Sequence, residues 1–97
     1  MRISGRKKLK VFCKRRPDAE KHLSAWHVEV KHANWKTSHE LKKVYGTASI
    51  LGNRRVVFNI CGNKYRLVVK INYDVPVVEI RFIGTHDEYN RINAEEI

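Results

Sequence analysis

Four residues in the last third of the chain carry the chemistry of a phosphodiester site: Arg66, Arg81, His86 and Tyr89. A guanidinium is a planar fork of donors that matches phosphate oxygens. Two of them on one rigid sheet can hold a scissile phosphate and stabilise the charge that develops on it. Histidine exchanges a proton near neutral pH, and a tyrosine hydroxyl both donates and accepts. Arg54, Arg55, Asn59, Asn63, Lys64 and Lys70 lie nearby in the sequence and suit an RNA backbone. The plainer reading is a solvated sheet face, with His86 starting a last helix and Tyr89 packing on the sheet. Against it stands the single acid, Glu79, that shares the face with its bases.

Other chemistries find little support. There is no Walker loop, GxGxxG, GxSxG or HExxH pattern. His22, His27 and His32 do not stack on one helical face, so no metal site is expected. Cys13 and Cys61 are far apart without metal-type spacing and read as reduced thiols. No cofactor is implied. No apolar run approaches the ~20 residues that cross a bilayer. Nor does an apolar stretch follow the basic N-terminus as in a signal peptide, so the expected compartment is the cytoplasm, with no membrane contact.

The 97 residues are expected to form one domain, 1–97, with a modest core. Twenty basic against ten acidic residues give +10, which points to a polyanionic partner. The excess is uneven: residues 1–16 are basic without an acid, whereas 85–97 are acidic.

Placing the site needs two kinds of element. Residues 5–15 read as a basic helix with Leu9, Phe12 and Cys13 on one face. Residues 18–33 read as a second, with Leu23, Trp26, Val30 and Ala33 inward. Trp26 and Trp35 are taken as core, not base-stacking platforms. Thr37 and Glu40 match a capping box that starts a short helix, with Leu41, Val44 and Tyr45 inward and Gly46 to stop it. Residues 2–4 can add a short strand. The period then changes to two over 55–61, 64–72 and 77–83. A turn at Gly62-Asn63 pairs Asn59 with Arg66 and Val57 with Val68. A loop over 73–76 pairs Lys70 with Glu79 and Val68 with Arg81. That register puts Phe58, Leu67, Val69, Ile80 and Phe82 on an apolar face for the helices to cover. Arg55, Asn59, Lys64, Arg66, Lys70 and Arg81 fall on the other.

Two runs then carry a resemblance. Val57-Phe58-Asn59-Ile60-Cys61-Gly62-Asn63-Lys64-Tyr65-Arg66-Leu67-Val68 and Ile80-Arg81-Phe82-Ile83-Gly84-Thr85-His86-Asp87-Glu88-Tyr89 resemble the HigB family of bacterial type II toxins. Pro17-Asp18-Ala19-Glu20, Trp26, Trp35-Lys36 and Ala48-Ser49-Ile50 resemble it too, so the likeness runs from about residue 17 to the end. It implies an α+β, RelE-like fold of the microbial-ribonuclease type. N-terminal helices would pack on one face of a three- to four-stranded antiparallel sheet, with a short C-terminal helix. It also implies an mRNA endoribonuclease, commonly ribosome-dependent, in which the RNA's own 2′-hydroxyl attacks the adjacent phosphate without a metal. A cognate antitoxin would hold it inactive, and operator DNA would be bound only through that antitoxin.

By the same resemblance, Arg66 matches the phosphate-contacting arginine of the sheet, and His86 and Tyr89 fall where the group keeps proton-transfer residues. Some members use a lysine or glutamate base near the second strand, where this chain has Arg54, Arg55 and Asn59. Proton abstraction is then left to His86 or to ribosomal RNA. Two rival readings remain: a non-catalytic basic RNA-binding module, and a basic protein-interaction domain.

Overall fold

The computed structural model describes residues 1–97. The three alternating segments form its long strands, which we number with the two short ones: β1 (Arg2–Ser4), β2 (Ser49–Ile50), β3 (Arg55–Ile60), β4 (Tyr65–Asn72) and β5 (Val77–Thr85). The helices are α1 (Arg6–Arg15), α2 (Glu20–His32), α3 (Ser38–Val44) and α4 (His86–Tyr89), with a 3₁₀ turn at Pro17–Ala19. The sheet order is β1-β5-β4-β3-β2. β3, β4 and β5 are antiparallel neighbours, β2 pairs antiparallel with β3, and β1 adds to β5 in parallel. The fold is α+β as expected, but the sheet is five-stranded and mixed where three or four antiparallel strands were expected. Strands of two or three residues are too short for their direction to show as periodicity.

The β3–β4 register is the expected one, from Arg55↔Lys70 to Ile60↔Tyr65. Its turn has Gly62-Asn63 at the centre as expected, with Cys61 and Gly62 at φ 59 and 70. Lys64 N closes it on Cys61 O at 3.3 Å. The second hairpin is capped by Asn72 Oδ1, which accepts from Asp74 N and Val75 N. Its pairing begins as expected at Lys70↔Glu79 and Val69↔Ile80. A bulge then intervenes between Val68 and Val69, and Val68 faces Phe82 rather than Arg81. One extra residue reverses every later side chain. Phe82 therefore leaves the helix-side face, and Ile83 packs toward the main core.

That core lies between the helices and the sheet, joining Leu9, Phe12, Leu23, Trp26 and Val30 to Val56, Phe58, Leu67, Val69 and Ile80. Trp26 and Tyr45 stack edge-on against Phe58 at 5.5 and 5.0 Å, and Phe12 against Tyr65 at 5.1 Å. Trp26 and Trp35 are both buried, and Cys13 and Cys61 are unpaired. The Thr37 side chain accepts from Glu40 N, but Glu40 reaches back to Lys36 N, so only half of the expected capping box forms. Val44 is exposed instead of inward, and α3 ends before Gly46, which has no left-handed φ. Gly5 turns β1 into α1 at φ 84, where a Cβ would lie 2.7 Å from Ile80 O.

The sheet's second face is covered as well. Val57, Val68 and Ala94 are buried together there, with Leu51, Phe82, Tyr89, Ile92 and Ile97 packed around them. The chain after α4 thus lies across the middle of the face that the sequence pattern leaves to solvent. No helix is long and apolar enough to cross a membrane.

Candidate active site

The second face has two ends separated by this apolar middle. At one end Asn59 on β3 faces Arg66 on β4, and Arg66 faces Gly84 on β5. β5 ends at Thr85, whose hydroxyl accepts from Glu88 N at 3.2 Å while Glu88 Oε1 accepts from Thr85 N at 2.9 Å. This reciprocal cap starts α4 abruptly, so that His86 follows directly on the strand end paired with Tyr65 and Arg66, and Tyr89 comes one turn later. The Arg66 guanidinium carbon lies 4.8 Å from the centre of the Tyr89 ring, a cation–π contact.

Five buried side-chain polar atoms lack a hydrogen-bond partner, and three of them, Trp26 Nε1, Arg55 Nε and the Tyr73 hydroxyl, are on residues outside this end of the face. The other two are Arg66 Nε and His86 Nε2. Each such orphan costs about 1–3 kcal/mol, and native structures hold few of them. Of the residues that carry these two, Arg66 is in contact with Tyr89, and His86 is the first residue of the same short helix.

The Glu88 carboxyl is held below its usual range, first by the Thr85 backbone N–H and then by Arg15 of α1. Arg15 Nη2 lies 3.1 and 3.3 Å from the two Glu88 oxygens. No group of three or more His, Cys, Asp or Glu side chains converges anywhere in the structure.

The family model for the HigB toxin, described as the RelE-like toxic component of a toxin–antitoxin system, matches residues 19–92. The chain belongs to the HigB toxin family. No curated protein matches the chain. Membership makes the protein the toxic component of a toxin–antitoxin pair, with a cognate antitoxin as its partner.

The structure gathers some of the toxin's expected site residues and disperses others. Arg66 and Tyr89 come together, with Asn59 paired to Arg66 and tied to Thr47 O by its side-chain amide at 3.2 Å, and His86 opens the four-residue helix that carries Tyr89. Arg81 does not join them. It sits in the bulge, where Nε donates to Ile97 O at 3.1 Å and Nη1 lies 3.8 Å from Glu79. Lys64 turns to the helix side and pairs with Asp18, which also accepts from the Tyr65 hydroxyl. Asn63 is exposed at the hairpin tip.

Arg54, Arg55 and Lys70 stand at the far end, about 13 Å along β4 at ~3.3 Å per residue. Arg54 is exposed at the turn into β3, with φ 63. Arg55, read from the sequence as an RNA-tracking base, is only 4% exposed and donates to Asn53 O and Ile97 O. Its charge anchors the C-terminal segment and is not presented to a phosphate.

Sequence reasoning missed Glu88, Arg15, Gly84 and the covering segment. Thr85-His86-Asp87-Glu88 is itself a capping-box pattern, the signal already recognised at Thr37. Ile92, Ala94 and Ile97 were the apolar trace of the segment that closes the second face.

Proposed function

We propose that this toxin is an mRNA endoribonuclease that acts on message during translation, and so works in the cytoplasm. The observation that carries the reading is the contact of Arg66 with Tyr89, on the short helix that His86 opens, with unpartnered buried nitrogens on both Arg66 and His86. The RNA supplies the nucleophile, so the reaction needs no metal. The 2′-oxygen attacks the adjacent phosphorus, the bond to the 5′-oxygen breaks, and a cyclic phosphate and a free 5′-hydroxyl result.

Arg66 holds the phosphate and the negative charge that builds on it. His86 accepts the 2′-hydroxyl proton or returns one to the leaving 5′-oxygen. Tyr89 keeps Arg66 in place and directs its hydroxyl toward the leaving group. Arg81, in the bulge three residues before the Arg66 partner Gly84 and so about 10 Å back along β5, steadies the RNA once Ile97 releases it. Asn59 and Asn63 border the site, Arg54 and Lys70 contact more distant backbone, and Lys64, held by Asp18 on the helix side, takes no part. The antitoxin, not this chain, carries any contact with operator DNA.

Expression of the toxin without its antitoxin tests the reading. Growth arrest with mRNA cleavage is expected. Arg66→Ala and His86→Ala should each abolish both while keeping the circular dichroism spectrum and melting temperature of a folded chain. A folded Arg66→Ala protein with full toxicity sinks the assignment. Binding to translating ribosomes without cleavage would leave a non-catalytic RNA-binding module.

A further inference from the structure

Nothing in the proposed chemistry uses Arg15, yet it is the residue through which the N-terminal helix reaches the site. Its guanidinium carbon lies 5.4 Å from the centre of the Phe12 ring, and Phe12 is buried in the core. From that base Nη2 spans both oxygens of Glu88. Glu88 is simultaneously the cap of the four-residue α4, which is too short to hold its own position.

A second observation points the same way. Gly84 lacks a left-handed φ, so backbone conformation does not require glycine there. Space does: a Cβ would lie 2.6 Å from the Phe82 ring, 3.0 Å from Glu88 Oε1 and 3.2 Å from Glu88 Cβ. The glycine lets the Glu88 side chain settle against β5, where Arg15 can reach it. Both partners are substantially exposed, at 53% and 36% of their side chains, so the ion pair adds little stability. What it does supply is placement of α4.

We infer that Arg15 and Glu88 are positioning residues: the α1–α4 ion pair holds His86 and Tyr89 in register with Arg66. The inference rests on the ribonuclease reading, because it concerns the geometry of that site. A glutamine at position 88 can still cap α4 but cannot pair electrostatically with Arg15, so Glu88→Gln separates the clamp from the cap.

The test uses the full-length toxin on translating ribosomes, with a parallel NMR measurement of the Arg66 side-chain protons, which the Tyr89 ring shifts upfield. Arg15→Ala and Glu88→Gln should each lower kcat roughly 10- to 100-fold, since a displacement near 1 Å at a reacting centre has that scale of effect. KM should change by less than about threefold, as expected for a loss confined to the transition state. The upfield shift should disappear in both variants, and the double variant should be no worse than either single one. An unchanged rate in Arg15→Ala overturns the inference. So does a lost rate with the Arg66 shift intact, or strictly additive losses. If the unsubstituted toxin does not cleave RNA, the ribonuclease reading fails by itself. The NMR shift then judges the clamp alone: its loss in Arg15→Ala supports the clamp, and its retention overturns it.

Discussion

Arg66 and Arg81 look equivalent in sequence, each flanked by apolar residues on a strand, but the structure gives them different company. Arg66 lies beneath Tyr89 with one nitrogen unsatisfied, whereas Arg81 is bonded to the Ile97 carbonyl. The Tyr89 contact separates two roles within one side chain. The ring face attracts the guanidinium by about 0.5–2 kcal/mol, and phenylalanine keeps most of that attraction. In the proposed reaction the hydroxyl serves the leaving group, and phenylalanine lacks it. Tyr89→Phe should therefore keep substrate affinity and lower the cleavage rate, while Tyr89→Ala should weaken both. Single-turnover cleavage and filter binding distinguish these outcomes. Equal effects of the two substitutions on binding would show that the ring does not hold Arg66.

The connections between elements are where carboxylates do structural work. Asp18, in the 3₁₀ turn before α2, joins that turn to β4 by accepting from Lys64 and from the Tyr65 hydroxyl. The Lys64 hydrogen bond, followed by that from Tyr65, holds its carboxyl below the usual range. A folded-state pKa below the unfolded one means stability that is complete above about pH 4–5 and lost as pH falls through the folded value. Urea unfolding from about pH 6 to pH 2 should show the native protein losing stability faster than Asp18→Asn, with the two curves converging in acid. Parallel curves would mean that Asp18 is not coupled to folding.

The same level shows what the sequence could reveal. The even spacing of Arg55 and Asn59 in β3 and of Arg66 and Lys70 in β4 made their register legible, because any slip would have mixed apolar and basic faces. β5 was ambiguous at Phe82-Ile83, two apolar residues in succession, and a bulge was compatible with either assignment. Only the presence of Val57, Val68 and Ala94 on the second face selects the arrangement that sends Phe82 there. Arg66, His86 and Tyr89 were legible because they sit on or just after regular elements. The Arg15–Glu88 pair joins residues 73 positions apart and has no periodic trace.

On the scale of the whole molecule, a charge of +10 does not say which bases meet a polyanion. Burial does. Arg54 and Arg55 are adjacent in sequence, but one projects from a turn while the other is enclosed and bonded to two carbonyls. For single-stranded RNA, the log of the binding constant falls with log salt by about 0.7 per phosphate neutralised. Arg54→Gln should thus reduce the magnitude of that slope by about 0.7 and leave folding stability nearly unchanged. Arg55→Ala should leave the slope alone and lower stability by about 1–3 kcal/mol, since the Asn53 and Ile97 carbonyls lose their buried donor. Binding titrations from low to moderate salt, paired with urea unfolding, measure both quantities on each variant. A reduced slope with full stability in Arg55→Ala would mean that the C-terminal segment leaves the second face when RNA binds, exposing the arginine it now covers.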